Sequence, residues 1–190
     1  MRNSRHVRVI VISVLLFFLI LPLHACRRTE VLIKQDRYAP SFQSSDYSNY
    51  KGKSIYLSGI ANRAENTFSG AYQSPDRWIT YKSQISALDI FFWDCFDKAF
   101  RSIGMGVHVH GAPPKGVPEF RLALLSLNDQ VFSYKVTLLK DGFQLFERNY
   151  TVNVRPAVQT DYIALEQRAY ALIDLAFTVI LEDPEFSRNF

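Results

Sequence analysis

Few side chains in this chain have the type and spacing to do chemistry. His108 and His110 stand at i and i+2. On an extended strand both imidazoles point to one side, and two such ligands can begin a zinc or copper site. No third ligand follows from the sequence, and Val107 and Val109 are apolar neighbours that would take the inner face. The pair is therefore a weak metal candidate, and no metal is assigned. Cys26 and Cys95 are the two thiols. Cys95 falls on the apolar side of a helical repeat, where no base or cation would lower its pKa, so it reads as packing. Asp94 and Asp97 have the spacing of a solvated helix face, with no partner fixed for proton transfer. There is no Gly-x-Ser-x-Gly elbow. Gly104-x-Gly106 runs on into a strand, not the helix that a phosphate loop needs. These residues do not describe an enzyme, and no catalytic residue is assigned.

The aromatic content is 14%, with 15 Phe and 10 Tyr. Phe68, Tyr72, Trp78 and Tyr81 occur among polar residues between about 61 and 82, a long connection of the kind that often carries function. Tyrosine and tryptophan anchor interfaces, so these four are the candidate partner-binding residues.

Cys26 owes its interest to what precedes it. Arg2, Arg5 and Arg8 lead into an apolar run from Val9 to Leu23. Its 15 residues fall short of the roughly 20 that a spanning helix needs and suit the apolar core of a secretory signal. The Leu23-His24-Ala25-Cys26 sequence closing it resembles the lipobox of bacterial lipoproteins. That resemblance implies cleavage before Cys26, a covalent lipid on its sulfur and no other cofactor. A residue other than aspartate at position 27 implies the outer membrane and its periplasmic face, the inner membrane being the other placement.

Removing residues 1–25 leaves 165 residues, enough for one domain. The net charge of +4 then falls to +1, with 19 basic against 18 acidic groups. So neutral a chain lacks the basic field of a nucleic-acid binder. Residues 26–53 are polar without a period of 2 or 3.6 and read as a lipidated N-terminus and flexible tether, with Tyr38, Tyr47 and Tyr50 able to dock its far end. Residues 54–190 form the single domain.

The elements of that domain follow from its periodicity. Ser54–Ile60 suits a strand. Ser83 is a candidate N-cap for a helix whose apolar stripe runs Ile85, Leu88, Phe92, Cys95 or Phe96, Ala99 and Ile103, ended by Gly104. Val107–His110 suits a short strand. Three longer ones follow at 119–127, 131–139 and 143–154, the last two joined by the turn Lys140-Asp141-Gly142. Phe132, Tyr134, Val136 and Leu138 alternate with Ser133, Lys135 and Thr137, giving one covered and one wet face. A last helix, capped by Thr160 or Asp161, runs to about Asp183, where Pro184 stops it. The expected fold is α+β: an antiparallel sheet of four to five strands, order β-α-β-β-β-β-α, with two helices packed on one face.

Taken together, the lipobox, this order, the opening Ile55-Tyr56-Leu57, Asp76-Arg77-Trp78 before the helix and the strand Glu119 to Leu124 resemble the small auxiliary lipoproteins of ABC-type and Mce lipid transporters. Related envelope-assembly lipoproteins and activators of peptidoglycan synthases have a similar build. The resemblance implies a non-enzymatic, lipid-anchored periplasmic adaptor or scaffold of an envelope transport complex. It implies as partners a membrane, reached through the lipid, and an envelope protein complex, with lipid a further partner. Regulation of peptidoglycan synthesis is the alternative, and metal binding through His108 and His110 a lesser one.

Overall fold

The structure, a computed structural model, describes residues 28–155 and 161–190. The signal peptide over 1–25, Cys26 and the Thr160 cap lie outside the described residues. Two sheets and two long helices make an α+β fold. The larger sheet has five strands in the order β6-β2-β7-β8-β9: β2 (Ser54–Asn62), β6 (Gly106–His108), β7 (Glu119–Leu127), β8 (Val131–Lys140) and β9 (Phe143–Asn153). Helices α1 (Leu88–Ser102) and α2 (Tyr162–Glu182) cover one face, and a short α3 (Pro184–Ser187) follows.

The helix-facing layer is the one the alternation predicts. Phe132, Tyr134, Val136 and Leu138 are fully buried in one core with Leu88, Phe91, Phe92, Cys95, Phe96, Ala99 and Phe100 of α1, where the Phe92 and Phe132 rings lie 5.0 Å apart. Phe177 of α2 packs edge-on against Phe96 and Phe100, and the Tyr134 hydroxyl donates to the Ala176 carbonyl at 2.9 Å. Among the described residues, no helix is long and apolar enough to cross a membrane.

The sheet departs from expectation in being mixed. Strand β2 runs parallel to both β6 and β7, and only β7-β8 and β8-β9 are antiparallel. Strand β6 has three residues, too few to reveal a direction by pattern.

The connection read as irregular over 61–82 is instead most of a second sheet, in the order β1-β5-β4-β3. It comprises β1 (Thr29–Ile33), β3 (Thr67–Phe68), β4 (Ala71–Gln73) and β5 (Ile79–Ser83). β1 runs parallel to β5; the other pairs are antiparallel. This small sheet caps the end of the large one, where the Arg63 N–H donates to the Leu124 carbonyl and the Asn66 amide to that of Leu127. Ser83 is thus the last residue of β5, fully buried, and Ala87 precedes α1 in its place.

Most of the stretch read as a flexible tether is packed structure. Val31 and Ile33 of β1 are fully buried, and Tyr38, Tyr47 and Tyr50 lie against α2. The segment descends that helix from its N-terminal end. Tyr162 exchanges hydrogen bonds with Leu32, Tyr170 donates to the Lys34 carbonyl, and Tyr50 donates to that of Leu181. Side-chain hydrogen bonds to a distant helix impose no period on the segment that makes them, which is why its sequence looks irregular.

Candidate interaction surface

The four aromatic candidates fall into two pairs. Tyr72 and Tyr81 are cross-strand neighbours on β4 and β5, stacked with ring centroids 4.9 Å apart and planes at 4°. Both are buried. They are core residues, which removes them from the partner-binding set. Tyr81 donates to Asp129 Oδ2 at 3.3 Å, and Arg168 of α2 donates to the same oxygen from Nη1 at 2.8 Å. The side chains of Arg168 and Asp129 are only 7% and 1% exposed. Withdrawing two charges from water this fully costs several kcal/mol per ion, which their mutual attraction must offset. Burial pushes both tyrosine hydroxyls above their ordinary pKa. The group braces the small sheet to α2 and the β7–β8 turn.

Phe68 and Trp78 are the other pair, and about half of each side chain is exposed. A rigid turn between β4 and β5 presents Trp78. Within it the Asp76 carboxylate accepts the Ser74 hydroxyl and the Trp78 N–H. Those bonds, the Ser74 one foremost, hold Asp76 below the usual carboxylate range. Ser74 Oγ in turn accepts the Ile79 N–H at 3.1 Å. Arg77 sits between with φ of +62°. A depression of about 370 Å³ opens beside this turn, with Thr67, Phe68, Gln73, Pro75 and Arg77 on its walls. Trp78 is thus held half in water on a turn tied by four polar groups.

His108 closes β6 and His110 follows it, both exposed, while Val107 and Val109 pack against the core. Among the described residues no group of three His, Cys, Asp or Glu could hold a metal ion. Cys95 is fully buried, and burial pushes its thiol well above the ordinary value. Asp97 pairs with Arg101 one turn on, at 2.9 Å.

Sequence reasoning did not find the open face of the five-stranded sheet. Arg121, Thr137 and Glu147 come into line across β7, β8 and β9, with Arg63 and Lys135 beside them around a depression of about 270 Å³. Lys135 bonds Glu147 at 3.3 Å. The alternation in β8 marks this face as wet, but its charges converge only once the strand register is known.

No family model matches the chain, and no curated protein matches it. Among solved structures it resembles the crystal structure of protein XCC0632 from Xanthomonas campestris, described as family-model DUF330. The TM-score is 0.54 at 12% identity, over 84% of this chain and 96% of that one. At that identity the likeness establishes a shared α+β fold.

Proposed function

We propose that the protein is a lipid-anchored adaptor of the bacterial envelope, held by an acyl group on Cys26 at the periplasmic face of the outer membrane, where it scaffolds a transport complex. The observation that carries this reading is that the lipobox-like cysteine stands three residues before β1. A lipid there would fasten a folded domain directly to a membrane. The fold shared with the DUF330 structure is compatible with an envelope role for this chain.

In this reading the protein acts by binding. The open face of the five-stranded sheet, with both signs of charge on a rigid scaffold, is the surface offered to the protein partner; charges so placed govern register and rate of encounter more than affinity. Crosslinking in intact cells, followed by purification, should recover a permease or another transporter subunit, and Arg121→Glu with Lys135→Glu should reduce that recovery. Recovery of a peptidoglycan synthase instead, or of no envelope component, contradicts the assignment.

A further inference from the structure

The start of β1 fixes how far the domain can stand from a membrane that holds Cys26. The residues from Cys26 to Thr29 can extend at most about 10 Å, whereas the polar layer of one bilayer leaflet is itself about 5–8 Å deep. A flexible tether of some 25 residues would have reached roughly 25–30 Å and left the orientation free. With β1 packed into the small sheet, one end of the domain must lie at the bilayer.

That end can be named. The backbone N–H of Thr29 donates to the carbonyl of Trp78 at 2.9 Å, so the exposed tryptophan sits where the chain enters the fold. Arg28 and Arg77 beside it are both exposed. At the N-terminal end of α2, Tyr162 reaches the adjoining strand through its two bonds to Leu32, and Ile163 next to it is 70% exposed. Of the nearby acids, Glu30 faces Lys82 at 3.8 Å, while Asp76 and Asp161 are carboxylates that accept hydrogen bonds within their own turns. Tryptophan and tyrosine favour the headgroup layer, where an amphipathic ring finds both apolar and polar surroundings, and arginines complement lipid phosphates.

We propose that this end of the small sheet, formed by Thr29, Arg77 and Trp78, is seated on a phospholipid surface, with the indole of Trp78 in the headgroup layer. The orientation rests on the acyl anchor at Cys26. It leaves the open face of the large sheet for a protein partner and reserves Trp78 for lipid.

The test uses the full protein matured in a bacterial host, its mass recorded, and placed in vesicles of phosphatidylethanolamine and phosphatidylglycerol. Part of the lipid carries bromine near the acyl carbonyl, which quenches tryptophan in the interfacial layer. The chain has two tryptophans, so wild type is compared with Trp78→Phe, a change at an exposed site. Wild-type emission should fall on the brominated vesicles, and the remaining Trp93 emission of the variant should not. An acylated protein whose wild type and variant respond alike overturns the orientation and leaves the anchor standing. A chain without an acyl group on Cys26 overturns both.

Discussion

Tyr38 donates its phenolic hydroxyl to Oδ1 of Asp174 at 2.7 Å, joining residues 136 positions apart. The other carboxylate oxygen of Asp174 accepts both the N–H and the hydroxyl of Ser41. One buried acid in the middle of α2 therefore holds the segment that precedes the large sheet. Burial, foremost, and the neighbouring charge push the Tyr38 hydroxyl far above its ordinary pKa, so it stays a donor.

Replacing Asp174 by Ala leaves three donors without their acceptor and should cost about 3 kcal/mol. Tyr38→Phe removes a single bond and should cost about 1 kcal/mol. For a domain of this size the Asp174 variant should melt about 6–12 °C lower, measured by circular dichroism. Were residues 29–53 a free tether, neither change would register.

The Arg168–Asp129 pair carries the next prediction. Asp129→Ala strands a buried guanidinium and should destabilise by about 3–5 kcal/mol. Arg168→Met combined with Asp129→Leu removes both charges and should recover most of that loss in urea denaturation. A double variant as unstable as the single would show that shape at the site, not the stranded charge, sets the cost.

Gly70 has φ of +73°, and a Cβ there would lie 2.2 Å from the backbone carbon of Ser86. No side-chain rotation relieves a clash with backbone. Gly70→Ala should therefore cost about 2 kcal/mol or more, whereas Gly59→Ala, where a Cβ would have nothing within 4 Å, should change the melting temperature little.

Asp183 governs the response to acid. Burial opposes its ionisation, but the Tyr150 hydroxyl, the N–H groups of Glu185 and Phe186 and the Arg148 guanidinium outweigh it and hold the carboxyl below its usual range. A depressed folded-state pKa means stabilisation that is complete above the unfolded value, about 4. It is lost as pH falls through the folded value. Wild type should lose stability below about pH 4. Asp183→Asn should be weaker by about 2–3 kcal/mol at neutral pH and lose less on acidification, as thermal melts across pH would show.

The elements with long, regular patterns were legible in the sequence. Strands β7 to β9 end within a residue of where the alternation stops, and Asp161 caps α2 by accepting the Ala164 N–H at 3.0 Å. What escaped were the four strands of the small sheet, each of two to five residues, whereas the three-residue β6 falls where the short strand Val107–His110 was read. Tyr72 and Tyr81 have the same residue type and polar surroundings as an exposed interface pair. Only the pairing of β4 with β5 shows that both rings turn inward. Trp78 could be picked out as an aromatic among polar residues, but its place beside Thr29 depends on a parallel pairing of β1 with β5 that five residues cannot announce. The open sheet face depends in the same way on register between strands, a property that single-strand alternation does not contain.

The anchor, the orientation and the adaptor role all depend on the chemistry of Cys26. Intact-mass measurement of the mature protein, extracted from the membranes of a bacterial host, should give a chain that begins at Cys26, lacks residues 1–25 and carries the added mass of an acylated cysteine. A chain that begins at Cys26 with a free thiol, or that keeps the first 25 residues, would contradict it.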